Sequence, residues 1–184
     1  MHRSVAAEYI FRNILANRET DYTKIIDVFS AGLFGEKTSR WFQMKGIPLP
    51  EPLFSRPPSE QVQAVLLTRG IDISHHCSKP VNRVMLDRSD MIVPLLPILK
   101  EDLISLYPET GKKVFLPREL LGEDSNFYWE ETSFVPTDRR FWDFVHHDTD
   151  YVRTVVSEVE QFLQRASPEI LSRLLGAGEK ATTT

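Results

Sequence analysis

Two places in the sequence hold residues whose types and spacing could handle a phosphate. In "HHCSKPVNRV" the only cysteine, Cys77, stands six positions before Arg83. A thiolate and a guanidinium at that spacing can close a loop round an anion, provided that small residues make the turn and the backbone amides converge at a helix start. This stretch lacks those means. Pro80 removes an amide donor, no glycine lies between Cys77 and Arg83, and Val84 stands where a hydroxyl would support the thiolate. Cys77 is therefore read as a small, partly buried loop residue and its spacing to Arg83 as accidental. The second place is "MHRSVAAEYIFRNIL", where Arg3-Ser4 comes directly before an amphipathic pattern. A guanidinium grips a phosphate with two parallel hydrogen bonds, a serine supplies a hydroxyl and an N-cap, and the helix dipole points at the same spot. Taken alone, the pair reads first as an ordinary capped helix.

The elements that would position these residues follow from periodicity. From Ser4 the apolar Ala7, Ile10, Phe11, Ile14 and Leu15 share a helical face, with Glu8 and Arg12 off it. "KIIDVFSAGL" reads as a buried strand closed by a turn at Gly32. Five prolines between Gly35 and Pro58 predict a loop with at most a short helix near Trp41. "SEQVQAVLLTRG" is a helix capped by Ser59 and stopped at Gly70, and "VNRVMLDRSD" a short one. "MIVPLL" and "KKVFLP" are strands on either side of the helix "LKEDLISLYPE". "DYVRTVVSEVEQFLQRA" is the longest helix signal, and Ser167-Pro168 is expected to open a separate short segment before a disordered "GAGEKATTT" tail. The alternation predicts an α/β fold with a parallel sheet covered on both faces, as one domain over 1–165 and a C-terminal short helix and tail over 166–184. Folds of this type open on a strand, whereas this sequence opens on a helix, so a strand is expected in front of Met1.

Composition narrows the function classes. The net charge is −4 with Lys and Arg scattered, which gives no footprint for nucleic acid. No apolar run is long enough for a membrane helix, and no secretory signal opens the chain, so a cytoplasmic address is expected. One cysteine makes no internal disulfide and, with the nearby histidines, no zinc site; no metal and no cofactor are expected.

In order and spacing, "RSVAAEYIFRNIL", "DVFSAGL", "RGIDISHHCSKPV", "LDRSDMIVPL", "LYPETGKKVFL" and "FWDFVHHDTDYVRTVVSEVEQFL" resemble the bacterial low-molecular-weight protein tyrosine phosphatases, over most of residues 1 to about 165. The resemblance implies a four-stranded parallel sheet flanked by helices, and a C-x5-R-S phosphate loop between the first strand and first helix. It matches the loop arginine with Arg3 and the following serine with Ser4, and makes His2, Arg3 and Ser4 the substrate-binding residues. The nucleophilic cysteine would lie six residues before Arg3, ahead of Met1, so the first strand and half the loop are expected to be missing and the chain as it stands to be inactive. "HHCSKPVNRV" then matches the segment after the second helix, where a histidine and a basic residue lie near the site, here His76 and Lys79. The general acid implied is Asp143, eight residues before Tyr151, with Phe144 where the family has proline and a shortened loop holding His146 and His147; Asp138 is the alternative. Trp129, Trp142 and Phe144 either line a slot for a phenyl ring or pack in the core. The implied activity is hydrolysis of a phosphotyrosyl protein or small aryl phosphate through a cysteinyl phosphate. A non-catalytic phosphate- or phosphoprotein-binding relative is the alternative. An arsenate reductase would need further redox cysteines. The oligomeric state is left open.

Overall fold

The computed structural model describes residues 3–44, 46, 54–122 and 148–179. Its framework is helical: α1 (Arg3–Ala16), α2 (Glu36–Met44), α3 (Glu60–Leu67), α4 (Arg83–Arg88), α5 (Pro97–Leu106), α6 (Pro117–Leu121) and α7 (Thr149–Glu179), with 3-10 turns at Tyr22–Lys24 and Pro108–Lys113. The core forms where α1, α3 and α6 meet α7. Val5, Ala6, Ile10, Phe11 and Leu15 of α1 and Val62, Val65 and Leu66 of α3 are buried with Val152, Val156, Val159 and Phe162 of α7. The i, i+3, i+4 spacing puts each set on one face, and removing those faces from water is the main stabilising term.

α7 differs from its sequence signal in an instructive way. The helix runs through Ser167-Pro168 to Glu179 instead of breaking there. Proline has no N–H to give to the carbonyl four residues back, a loss that usually breaks or kinks a helix. Here the Ser167 hydroxyl donates to the Gln164 carbonyl at 3.2 Å in its place, and Arg18 in turn donates to Ser167 Oγ at 2.5 Å. Ile170 and Leu171, beyond the proline, are buried in the same core, so packing holds the last turns in line.

The expected four-stranded sheet is not formed among the described residues. What they show is two isolated parallel bridges, Gly32 with Pro80 and Ile92 with Val114. The reason lies in how the backbone is satisfied. Along 26–30 the Ile26 amide donates to the Tyr22 carbonyl, the Val28 carbonyl accepts from Arg12 Nε at 2.8 Å, and the Ser30 amide donates to Glu8. Side chains and a turn, not a neighbouring strand, take these groups. Nor is this segment buried as its apolar run suggested, since Ile25 is 67% exposed. Ile92 uses its amide and carbonyl on Lys113 and Phe115, and Pro94 and Pro117 stop the ladder on either strand.

In the stretch after Gly32, the short helix expected near Trp41 is the nine-residue α2. Its N-terminus has no capping side chain of its own, since Gly35 occupies that position. Asp102, on α5 and 2% exposed, caps it instead, accepting from the Lys37 amide (2.9 Å), the Thr38 amide (2.8 Å) and the Thr38 hydroxyl (2.5 Å). A β-carbon at Gly35 would lie 2.3 Å from Asp102 Cγ, so only glycine admits this approach.

Candidate anion site at the start of the first helix

Arg3 and Ser4 are the first two residues of α1, both half-buried. Ser4 thus sits inside the first turn, not at the N-cap that the sequence suggested. One turn further on the same face is Glu8, which the sequence pattern placed off the apolar face and which is only 6% exposed. Its Oε2 accepts from the Ser30 amide at 2.9 Å and the Ser30 hydroxyl at 2.7 Å, and its Oε1 pairs with Arg12 Nη2 at 3.0 Å. A helical side chain leans back over the turn N-terminal to it, so this contact holds the "FSAGL" turn beside the opening of α1.

The segment 75–81 joins the same corner. Gly32 donates to the Lys79 carbonyl at 2.8 Å and accepts from the Val81 amide at 2.9 Å. A β-carbon at Gly32 would meet the Phe54 ring at 2.5 Å. Residues 54–56 clasp the other side, through Ser55 to Ser78 (2.7 Å) and Ser78 to Arg56 (2.9 Å), with Ser55 at a φ of 62°. The His76 ring stands edge-on to Tyr9 with centroids 5.7 Å apart, and its Nδ1 lies 3.9 Å from Glu8. Lys79 Nζ lies over the Phe29 ring at 5.6 Å. Burial lowers the His76 pKa below the usual histidine value, with Lys79, His75 and Arg12 acting the same way and Glu8 against them. Burial and the Glu8 charge raise that of Tyr9.

Of the residues singled out in the sequence, Arg3 and Ser4 thus open α1, and His76 and Lys79 come to the turn beside it. His2, Asp138, Asp143, Trp129, Trp142, Phe144, His146 and His147 lie outside the described residues. The Cys77/Arg83 pair forms no loop round an anion. Cys77 is exposed, and Arg83 opens the six-residue α4 with its guanidinium bound to Glu109 at 2.7 Å and Asp87 at 3.1 Å. Sequence reasoning missed Glu8, Ser30 and Asp102. The spacing of Glu8 and Arg12, an i, i+4 acid–base pair, was the one signal for the first, and it reads equally well as a solvated face. Among the described residues no cluster of His, Cys, Asp and Glu could hold a metal, and no helix is long and apolar enough to cross a membrane.

Solved structures supply the comparison. The low molecular weight protein tyrosine phosphatase from T. tengcongensis is 22% identical, with a TM-score of 0.63 over 91% of this chain and 90% of that one. The chain has the low-molecular-weight protein tyrosine phosphatase fold. YwlE arginine phosphatase from Geobacillus stearothermophilus superposes with a TM-score of 0.63 at 16% identity, over 95% of this chain and 88% of that one. Vibrio vulnificus Wzb in complex with benzylphosphonate gives 0.60 at 18% identity, over 91% of each chain. No protein-family model matches the chain, and no curated protein does so significantly. The likeness is one of architecture, and it places this helical framework within an α/β phosphatase fold.

Proposed function

We propose that this chain is the body of a phosphomonoester hydrolase of the protein-tyrosine type. The observation that carries the proposal is Arg3-Ser4 at the start of α1 in a fold shared with phosphatases. On this reading "KIIDVFSAGL", "MIVPLL" and "KKVFLP" belong to a four-stranded parallel sheet, and His2, Arg3 and Ser4 are the second half of a phosphate loop. Turnover needs a thiolate six residues before Arg3. That thiolate attacks phosphorus, Arg3 and the loop amides hold the equatorial oxygens, and Asp143 protonates the departing phenolate, then acts as base when water cleaves the cysteinyl phosphate. The substrate class is a phosphotyrosyl protein or small aryl phosphate, acted on in the cytoplasm. Because one structural neighbour is an arginine phosphatase, phosphoarginine belongs in the same assay.

A second reading is a phosphate-binding relative without catalysis. It is favoured by Cys77, the only thiol in the sequence, being exposed and part of no phosphate loop among the described residues. Two measurements separate the readings. Titration of the chain with phenylphosphonate, followed by amide shifts, should map to the first turn of α1 and weaken at least about tenfold in Arg3→Met, the loss of one bidentate charged contact. A chimera carrying an apolar strand and a cysteine six residues ahead of Arg3 should then hydrolyse an aryl phosphate. Within it, Asp143→Asn should lower the rate on a poor leaving group by about 10²- to 10⁴-fold and spare a good one. Binding without turnover in a folded chimera supports the second reading. Shifts away from α1 overturn both. Turnover by the unextended chain that is lost in Cys77→Ser would move the site to Cys77.

A further inference from the structure

Glu8 is a buried carboxylate whose oxygens are already taken. Two donors of Ser30 bind Oε2 at 2.9 and 2.7 Å, and Arg12 lies 3.0 Å from Oε1. His76, with a side chain 10% exposed, faces the same carboxylate at 3.9 Å, beyond hydrogen-bond reach, and packs its ring edge-on to Tyr9. A carboxylate compensated by a guanidinium and two hydrogen bonds has little left for a second cation, whereas burying an imidazolium costs solvation. The remaining charged neighbours do not reverse this. Lys79, His75 and Arg12 repel a proton on the ring, Tyr9 is neutral, Asp27 is 3.8 Å from Arg12, and Asp72 acts on Tyr9 and His75.

We infer that the contact of His76 with Glu8 and Tyr9 is an acid-released latch: protonation of His76 frees residues 75–81 from α1 and opens the Gly32 bridge. The segment is placed to transmit the change, since its carbonyl at Lys79 and amide at Val81 both bind Gly32. The direction follows from linkage. The folded pKa of His76 lies below its unfolded value of about 6.5, so the unfolded or opened state takes up protons more readily. The stability contributed by the neutral ring is full above that unfolded value and is lost as pH falls through the lower folded one. This inference does not rest on the proposed phosphatase activity.

The test is an NMR titration of the full chain from pH 8 to 5. It follows the His76 imidazole together with hydrogen exchange of the Gly32 and Val81 amides, corrected for intrinsic rates. The expected result is a His76 midpoint below the ordinary histidine value, with protection of both amides falling about tenfold across the same interval. In His76→Gln the pH dependence of protection should vanish, and in His75→Gln it should persist. Glu8→Gln should move the midpoint lower, and Lys79→Met should raise it, which keeps the test open if His76→Gln does not fold. A His76 midpoint at or above about 6.5, or amide protection indifferent to pH in the parent, overturns the latch. So does protection that still falls with acid in a folded His76→Gln.

Discussion

At the scale of single residues, a buried carboxylate shared between elements recurs as the device that holds this fold together. Asp102 closes the N-terminus of α2 from α5, doing for Lys37 and Thr38 what a capping residue of the helix itself would do. Its loss leaves three donors without their acceptor in a site only 2% exposed. Asp102→Ala is therefore expected to lower stability by roughly 2–3 kcal/mol, read as a shift in urea midpoint at unchanged slope. Asp102→Asn, which keeps one carbonyl acceptor, should cost about half as much. Gly35→Ala should destabilise as well, because its β-carbon would lie 2.3 Å from Asp102 Cγ. A Gly35→Ala variant as stable as the parent would show that α2 can shift away from α5 freely. Residues of this kind were not legible in the sequence. Asp102 sits in "KEDLISL" as one acid among solvated ones, and its partner is more than sixty positions away. Arg3-Ser4 could be singled out because its chemistry is local: a cation and a hydroxyl next to a helix start.

At the scale of elements, helices were legible wherever the apolar period and a cap agreed. Ser59 does accept from Val62 at the start of α3, and Gly70 takes the positive φ of 72° that stops the chain beyond it. Strands were harder, since apolar runs such as "KIIDVF" specify extended backbone but not the neighbour that must pair with it. There the chain satisfies its amides and carbonyls with Glu8 and Arg12. The passage of α7 through Pro168 was illegible for a similar reason, because the compensating hydroxyl is effective only with Arg18 and the core around it. Ser167→Ala should therefore cost about 1–2 kcal/mol, leaving the Gln164 carbonyl unpaired and Arg18 without its acceptor. Phe162→Ala, in the middle of the helix and 1% exposed, should cost more, about 3–5 kcal/mol, because it opens a cavity where α7 meets the core. Thermal or urea unfolding of the two variants would check the order. No loss in Ser167→Ala beside the full loss in Phe162→Ala would mean that the proline is held by packing alone.

At the scale of the whole molecule, the core is built on α1, α3, α6 and α7, whereas the extended segments lay Ile26, Val28, Met91, Val93 and Phe115 against it and, among the described residues, pair with one another only through two isolated bridges. Extended backbone that no continuous ladder covers, next to apolar side chains as exposed as Ile25 at 67%, is a template for pairing between copies. On the phosphatase reading proposed above, a strand supplied ahead of α1 would enter the middle of the sheet and pair on both sides at once. The chimera that carries such a strand is therefore expected to be monodisperse and to unfold at higher temperature than the chain alone. The chain alone should associate as concentration rises. Sedimentation and calorimetry on the two proteins, each over a range of concentration, decide the matter. If both are monomeric and melt together, the added strand does not enter the sheet. The segments 26–32 and 90–94 would then be stable as loops, and the phosphatase reading would lose its structural support along with any route to a completed phosphate loop.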